Sequence, residues 1–598
     1  MSNNPDTTRA QFEQEAASIK EIIFTLINDG SLDMARQILE QYTLLNPTDP
    51  EINNIKGILY PDGLSAKETV EKIPEEYKIL NNIETIFILS GIITRRTGYI
   101  DSVLRKMKLM EDKWNYKPML LTCIHNINQK QAQTWLQTAG EDQVKMSAHT
   151  RIQNVFDYFQ KSYTEGLQNI AVYSPADDGM RYVKTSDSVF EVYDGDKRIR
   201  EEHYNGYAGC LRMVRYFDGK KKEKDVVYDD WGYLNYIREY DPSDDRIFHV
   251  NYYTTDGDLC IKAFFEFSKE GAMPNKYIVY DDEEKVIGEC ADSAELAAFY
   301  LDQTIKEDKF YMLVIEDGLM SKAATMVDSN RKNVAKCAVV HSIFLNDAYD
   351  PKSGPQKYYK YLCENHKRFD SIVMLTQASR NDFQSIYGKG DNIFVIPHPY
   401  PYAIEKIDFS MRSYKTAVSF GRLDPLKQVN HAIDIFSLVV KEVPDAKLDI
   451  YGRGPEEDSI KKQIKKLGLG NNVFLKGYSD EPLAVFNNAV MFMFTSAAEG
   501  LGLTLLESIC NGCPAFAYYI KYGPSEIITE GQTGYLFPRF NKEKFASKVI
   551  DYLNNTDLQK SMSEKCYNDA QRFSNENFLE NWYKMTETIY NSNREGGG

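Results

Sequence analysis

Two carboxylates stand at a spacing that suits binding of sugar hydroxyls on either side of a phosphate. Glu499 and Glu507 flank a turn of small residues that leads from an apolar run, 491–494, into a helical pattern beginning near Leu503. A helix that begins after such a turn presents free backbone N–H groups, which bind anions. Carboxylates accept paired hydrogen bonds from vicinal hydroxyls. The stretch therefore favours a nucleotide-sugar as its ligand.

Two cations stand about seventy residues upstream, where they could neutralise a diphosphate. Arg422 and Lys427 follow the strand-like segment 415–420 and the turn residue Gly421, at the start of the next helical pattern. Arginine binds phosphate as a fork and lysine as a point charge. Each of these charged residues, taken singly, is more often a solvated surface group. Taken together with the glutamate pair, they predict a donor site that holds a diphosphate.

Four motifs in this half of the chain resemble those of a known enzyme family. They are Glu499-x7-Glu507, Gly421-Arg422-x4-Lys427, the turn 451–455 and the segment 473–478, and they resemble the retaining GT-B glycosyltransferases of family four. The string 521–525, KYGPS, together with a β-rich insertion, narrows the resemblance to the bacterial wall teichoic acid α-glycosyltransferases. These comprise poly(glycerol-phosphate) α-glucosyltransferases and poly(ribitol-phosphate) α-N-acetylglucosaminyltransferases, and their relatives glycosylate Ser-rich surface adhesins. The resemblance covers roughly residues 80 to 590 and is strongest after about 335.

The resemblance implies an α/β protein of GT-B fold, with two Rossmann-like domains facing a cleft. It also implies an antiparallel β-sheet insertion in the first domain and a short helical N-terminal extension. The expected divisions of the chain are a helical, partly tetratricopeptide-like extension with its linker (1–77), the first Rossmann-like domain in two parts (78–187 and 294–410), the β-sheet insertion (188–293), the nucleotide-sugar-binding domain (411–575), and a C-terminal crossover helix with its tail (576–598).

Roles for single residues follow from the same resemblance. Glu499 is expected to bind hexose hydroxyls and Glu507 the ribose, while His341 is expected to face the cleft near the transferred sugar. The predicted catalytic residues are Glu499, Lys427, Arg422 and His341. The predicted donor-binding residues are Gly98, Arg422, Lys427, Tyr478, Glu499, Gly500, Leu501, Gly502, Leu503 and Glu507. His398 is interpreted as structural.

The expected reaction needs a UDP-sugar as substrate and neither a cofactor nor a metal. The basic pair and the helix dipole supply the positive charge that a leaving diphosphate requires. Retention of configuration is implied by the resemblance, with front-face attack as the working hypothesis. Asp-x-Asp strings such as 194–196 resemble a manganese motif, but alternating segments bounded by Asp-Gly indicate hairpin turns instead. The segment 531–537 is expected to form a further, hairpin-like strand.

Composition bounds the class of protein. The chain has 598 residues, a net charge of −16, 42% hydrophobic and 26% charged residues, which predict a multidomain globular protein rather than a nucleic-acid binder. Nine cysteines, an odd number, favour a reducing compartment, and redox chemistry at Cys510 and Cys513 is disfavoured. Neither a signal peptide nor 18 consecutive apolar residues is evident. We expect a cytoplasmic location, with a peripheral position at the inner membrane face left open.

Three functions and several partners remain open at this stage. The favoured function is transfer of glucose or N-acetylglucosamine from a UDP-sugar to a cell-envelope polymer, most readily a wall teichoic acid. One alternative is O-glycosylation of a Ser-rich adhesin, and another is a non-catalytic carbohydrate-binding partner subunit. A homo-oligomer, a trimer through the insertion, is implied by the resemblance. The helix pair in 8–60 is interpreted as docked on the main body, or alternatively as a partner contact.

Overall fold

The computed structural model describes most of the chain after residue 71. The described residues are 20, 23, 39, 72–91, 98–126, 150–161, 179–204, 211–229, 232–268, 271–328, 330–400, 402, 404–479 and 481–595. The chain divides into two compact units, 1–72 with 165–170, and 73–164 with 171–598. In the first unit Ile23 and Leu39 are buried. The predicted tetratricopeptide-like pair otherwise lies outside the described residues.

The second unit contains three sheets and a set of helices of ordinary length. The α-helices of the described residues, numbered in chain order, are α1 (Gly98–Trp114), α2 (Val155–Phe159), α3 (Ser293–Thr304), α4 (Ser321–Met326), α5 (Lys360–Glu364), α6 (Gln377–Tyr387), α7 (Val429–Glu442), α8 (Glu457–Lys466), α9 (Pro482–Asn488), α10 (Leu503–Cys510), α11 (Pro524–Ile527), α12 (Lys542–Leu553), α13 (Thr556–Ala570) and α14 (Asn575–Glu595). Short 3-10 helices span Glu75–Asn82, Gly318–Met320, Lys357–Tyr359, His366–Arg368, Phe409–Met411 and Gln571–Phe573. No helix in the described ranges is long and apolar enough to cross a membrane.

A seven-stranded parallel sheet forms the first Rossmann-like domain. Its strands are β1 (Ile83–Leu89), β2 (Met119–Thr122), β3 (Arg151–Asn154), β14 (Phe310–Ile315), β15 (Val334–Val340), β16 (Ser371–Met374) and β17 (Ile393–Val395). The order is β17-β16-β15-β14-β1-β2-β3, so the direction of winding reverses between β1 and β14. The inner strands are mainly apolar because helices cover both faces of a parallel sheet, whereas the edge strand β3, RIQN, is partly exposed.

A ten-stranded antiparallel sheet is inserted between β3 and β14. Its strands are β4 (Arg181–Ser186), β5 (Val189–Asp194), β6 (Lys197–Tyr204), β7 (Leu211–Asp218), β8 (Lys221–Tyr228), β9 (Leu234–Tyr240), β10 (Ile247–Tyr253), β11 (Leu259–Ser268), β12 (Gly271–Tyr280) and β13 (Val286–Cys290). Sequential strands are neighbours throughout. The sheet begins at β4, earlier than the expected start at 188. Gly195, Gly219 and Gly257 have positive φ in its turns, as tight hairpins require.

A six-stranded parallel sheet forms the second Rossmann-like domain. Its strands are β18 (Ser413–Phe420), β19 (Lys447–Tyr451), β20 (Val473–Gly477), β21 (Ala489–Phe494), β22 (Ala515–Tyr518) and β23 (Gly534–Phe537). The order is β20-β19-β18-β21-β22-β23, with the reversal between β18 and β21. The expectation of a hairpin-like strand at 531–537 is wrong. The strand in this segment, β23, pairs in parallel with β22, because helix α11 carries the chain back before β23 begins.

The last helix returns to the first domain. Phe578, Leu579 and Trp582 of α14 are buried in one apolar core with Phe87 of β1 and Met312 of β14. The inserted sheet is anchored in the same way, since side chains of β10 to β12 share a core with β1 and β2. The two Rossmann-like domains and the insertion are thereby held as the mixed α/β arrangement that the sequence predicted.

Candidate functional site

The strongest candidate site lies at the carboxyl edge of the six-stranded sheet, where its winding reverses. The loop after β18 carries Lys427, and the loop after β21 carries Glu499. Lys427 Nζ lies 2.6 Å from Glu499 Oε1, although the two residues are 72 positions apart. Ligands of doubly wound sheets bind in the crevice that opens at this reversal. The structure therefore brings together the cation and the carboxylate that the sequence selected independently.

Hydrogen bonds to the start of the loop after β21 hold the loop that carries Lys427. Thr495 Oγ1 donates to the carbonyls of Lys427 and Gln428, at 3.1 and 3.0 Å, and the Ala497 N–H donates to the Leu426 carbonyl at 2.7 Å. Gln428 has a left-handed φ of 47° immediately before α7. These contacts fix the lysine relative to the β21 loop, so its position depends on backbone geometry rather than on one side-chain bond.

Arg422 lies in the same loop but projects outward. Its side chain is 78% exposed and pairs with Asp424 at 2.9 Å, within the loop. It does not contact Glu499 in the way that Lys427 does. An exposed guanidinium beside the crevice remains able to fork onto a diphosphate.

A third cation, Arg453, lies at this edge, and the site predicted from the sequence did not include it. Arg453 is exposed in the turn after β19, and its carbonyl accepts from Leu423 N–H at 2.9 Å. The two turns pack so closely that a Cβ on Gly452 would lie 1.8 Å from the Gly421 carbonyl oxygen, and one on Gly454 2.2 Å from that of Leu423. The signal was the Gly-x-Gly motif of 452–454, which forces the arginine against the Arg422 loop.

The turn between Glu499 and α10 touches the other domain through its glycine. A Cβ on Gly500 would lie 2.2 Å from the His341 carbonyl oxygen and 2.8 Å from Ser342 Cα. Gly502 has a φ of 92° and precedes Leu503, the first residue of α10. The glycines thus permit a close approach of backbones and a helix start that a larger residue would prevent. Leu501 is buried between them.

Glu507 faces helix α1 of the first domain rather than Lys427. Burial raises the pKa of its carboxyl to about 7, although Arg105 opposes that rise and Asp101 adds to it. Both charged neighbours belong to α1, which begins at Gly98. The turn before Gly98, residues 92–97, lies outside the described residues, so the predicted contact of Gly98 with a donor is not located.

Tyr478 stands at the far side of the same edge. It follows β20, two strands from β18 and therefore roughly 10 Å along the sheet, and its side chain is 67% exposed. It lies on the rim of the crevice and does not join the Lys427 and Glu499 pair.

His341 follows β15 directly and lies in a buried polar network. Its Nε2 lies 2.7 Å from Glu316 Oε2, and its Nδ1 lies 3.2 Å from His398 Nε2. Lys106 of α1 forms an ion pair with the other oxygen of Glu316. Sequence reasoning selected His341 but missed Glu316 and Lys106, since neither belongs to a recognisable motif.

The KYGPS string joins the two domains beside this site. Lys521 Nζ lies 2.7 Å from Asp382, and Tyr522 donates to the same carboxylate at 2.5 Å. Glu526 accepts from the backbone N–H groups of Gln377 and Ala378, at 2.7 and 2.9 Å, at the start of α6. A carboxylate is favourable at that helix end. The string and Glu526, the residue that follows it, therefore fix the second domain against the first.

Comparison with known proteins shows what the part of the chain that carries this site is similar to. Residues 403–569 match the family described as glycosyl transferases group 1. This stretch is similar to a glycosyl transferases group 1 domain. Its matched residues include Arg422, Lys427, Glu499 and Glu507, which are the side chains on which the sequence prediction rested.

Two curated relatives extend over most of the chain. A poly(glycerol-phosphate) alpha-glucosyltransferase of Bacillus subtilis is 26% identical over 524 residues, which are 86% of this chain and 76% of that protein. A poly(ribitol-phosphate) alpha-N-acetylglucosaminyltransferase of Staphylococcus aureus is 26% identical over 465 residues, 75% of this chain and 89% of that protein. The predicted resemblance to wall teichoic acid glycosyltransferases is confirmed.

A solved structure confirms the fold. A point mutant of S. aureus TarM, in complex with fondaparinux, alpha-GlcNAc-glycerol and UDP, superposes with a TM-score of 0.69 and 23% identity, over 84% of this chain and 99% of that one. The GT-B expectation, with parallel sheets and an added antiparallel sheet, is therefore correct.

Proposed function

We propose that this protein is a retaining α-glycosyltransferase that moves glucose or N-acetylglucosamine from a UDP-sugar to a hydroxyl of a poly(polyol-phosphate) wall teichoic acid. The observation that carries the proposal is the 2.6 Å pair of Lys427 and Glu499 at the winding reversal of the second sheet. In a nucleotide-sugar, a single oxygen atom links the hexose to the diphosphate. A cation that binds the phosphate and a carboxylate that binds the hexose hydroxyls must therefore lie side by side. The names of the two curated relatives support this substrate class.

The donor would be held by groups from three neighbouring strand ends. Lys427, Arg422 and Arg453 would neutralise the diphosphate, and the backbone N–H groups near Gly502 and Leu503 would bind its oxygens. Glu499 would accept hydrogen bonds from hexose hydroxyls, and Glu507 would bind the ribose. This arrangement supplies positive charge where the leaving diphosphate develops negative charge, which is the largest usual contribution to such catalysis.

The reaction would proceed on one face of the donor sugar and without a metal. The C1–O bond to the diphosphate breaks, the acceptor oxygen bonds to C1 from the same face, and a diphosphate oxygen takes the acceptor proton. The three cations and the N-terminus of α10 would stabilise the leaving group.

The wider setting follows from the substrates. UDP-sugars are cytoplasmic metabolites, so we propose action in the cytoplasm, at or near the inner membrane face where an envelope polymer would be reached. The antiparallel sheet β4–β13 is proposed to handle the acceptor and to join copies of the chain into a homo-oligomer, a trimer by resemblance. Among the strands that the structure describes, β4 and β13 are the two edge strands of this sheet, and the outer edge of β4 is one that a second chain could cover.

The test is UDP release by the purified protein, with UDP-glucose and UDP-N-acetylglucosamine crossed against poly(glycerol-phosphate), poly(ribitol-phosphate) and a Ser-rich peptide. We expect turnover with one polyol-phosphate polymer. Turnover with the peptide alone would transfer the protein to adhesin glycosylation. Donor binding without any turnover would favour the non-catalytic partner subunit.

The assignment of Lys427 has its own test. Lys427→Ala should lower kcat by roughly a hundredfold or more, because a charge that meets the transition state is lost, while the thermal midpoint stays near that of the parent. Lys415→Ala is the matched control, since Lys415 pairs with Asp445 at the opposite end of the same strand, 2.7 Å away. Near-normal kcat in Lys427→Ala would contradict the proposed donor site.

A further inference from the structure

Four titratable groups from four parts of the chain converge beside the site, and the donor chemistry proposed above uses none of them. Lys106 comes from α1, Glu316 from the end of β14, His341 from the end of β15, and His398 from the segment after β17. The side chains of Lys106 and Glu316 are 1% and 0% exposed, and both histidines are buried or nearly so. They form one continuous chain of contacts.

An ion pair buried this deeply is poorly explained by stability. Removing two charges from water costs free energy that their attraction rarely returns in full, and apolar replacements are often at least as stable. Burial alone would raise the pKa of Glu316, yet Lys106 and His341 hold it below its ordinary value. The carboxylate therefore stays charged and can only accept hydrogen bonds.

The charge state of Glu316 decides the tautomer of His341. Because Glu316 Oε2 is an acceptor at 2.7 Å, His341 Nε2 must carry the hydrogen. Burial is the main cause that holds the pKa of His398 well below its ordinary value, and the positive charge of Lys106 acts in the same direction, so that ring is neutral. One proton then lies between His341 Nδ1 and His398 Nε2, 3.2 Å apart.

The same histidine supports the sugar-binding turn. Its carbonyl is the atom on which Gly500 packs, one residue from Glu499. Its backbone N–H donates to Tyr359 Oη at 3.1 Å. Both ends of His341 are thus occupied, the ring by Glu316 and His398 and the backbone by Tyr359 and Gly500.

We propose that Glu316 is a positioning residue of the transferase site, acting through His341, with Lys106 as its counter-ion. Glu316 fixes the Nε2–H tautomer and the ring orientation of His341, and thereby the surface on which the Glu499 turn rests. This proposal rests on the proposed function for its kinetic test, whereas its spectroscopic test does not.

The variant is Glu316→Gln, which keeps the size of the side chain and removes its charge. A carboxamide oriented to accept from His341 points its NH₂ at the Lys106 ammonium, so one of the two bonds is lost. We expect kcat to fall on the order of tenfold to a hundredfold, as for loss of a charge-assisted hydrogen bond, while KM for the UDP-sugar changes less than about twofold. Glu295→Gln is the control, because Glu295 binds Lys322 at 2.5 Å in the same domain but between α3 and α4.

A double variant separates positioning from simple destabilisation. Lys106→Met with Glu316→Gln removes both buried charges, so the thermal midpoint should return toward that of the parent while kcat stays low. Recovery of kcat together with the midpoint would overturn the proposal, as would kcat within twofold of the parent in Glu316→Gln.

Histidine nitrogen NMR gives a readout that needs no turnover. With ¹⁵N-labelled histidine, and the His341 signals assigned by their loss in His341→Gln, we expect the Nε2–H tautomer in the parent chain and a mixture of tautomers in Glu316→Gln. An unchanged tautomer in the variant would overturn the proposal even if no acceptor supported turnover. Absence of turnover alone, with the tautomer shift present, would count against the proposed function and not against Glu316.

Discussion

A single methyl group at residue 500 should disable the site without unfolding the protein. In Gly500→Ala the new Cβ would lie 2.2 Å from the His341 carbonyl oxygen, whereas ordinary contact begins at 3.4 Å. The turn or the strand end must therefore move by the difference, about 1.2 Å. A displacement of roughly 1 Å at a reacting centre costs on the order of a hundredfold in rate. We expect kcat/KM to fall by about that factor.

The assay is UDP release with the acceptor that supports turnover, alongside a thermal melt. Gly470→Ala is the matched control, because a Cβ there meets nothing within 4 Å and should leave kcat/KM unchanged. Each Rossmann-like sheet has its own apolar core, so the melting midpoint of Gly500→Ala should stay close to that of the parent. A kcat/KM within twofold of the parent would refute the reasoning that the two domains meet through this glycine during catalysis.

Two further predictions follow from buried titratable groups. The Glu507 carboxyl has a folded pKa of about 7 against an ordinary 4.5, so the folded chain holds a proton that the unfolded chain releases, and stability is lost as pH rises through that interval. Glu507→Gln should abolish this loss of folding free energy, which is at most about 3 kcal/mol. The melting midpoint of the variant should therefore fall less than that of the parent between pH 5 and pH 8. An equal fall in both proteins would contradict the assignment. Burial likewise raises the pKa of the Cys513 thiol to about 12. Cys513→Ser should therefore keep the kcat of the parent with or without dithiothreitol. A kcat that depends on the reductant would support the redox interpretation of 510–513 instead.

The elements and the principal charged residues could be predicted because their signals are local. Buried parallel strands are mainly apolar runs, and the predicted segments 415–420 and 491–494 end at the same residues as β18 and β21 for that reason. Asp-Gly turns between alternating segments indicated the antiparallel sheet. The strand 534–537 was misjudged because pairing direction depends on the intervening helix rather than on the strand's own residues.

The parts of the site that escaped prediction are contacts between distant segments. Arg453 lies in a turn that the sequence did single out, but only the packing of two glycine turns brings that turn against the Arg422 loop. Glu316 and Lys106 are ordinary charged residues in the sequence, and burial at 0% and 1% exposure is a property of the assembled domain. The orientation of Glu507 toward α1 likewise depends on how the two domains meet.

The sequence by itself indicated the fold class, the candidate donor-site residues and the family that they resemble, because spacing along one strand-turn-helix unit sets which groups a ligand can meet. Only the tertiary structure decided that Lys427 and Glu499 touch, that Gly500 rests on His341, and that His341 is held by a buried carboxylate. The residues in these three contacts are 72, 159 and 25 positions apart in the chain, in the order given. Separations of that size leave no periodic or local trace, since they arise from the reversal of winding in each sheet and from the closure of one domain on the other.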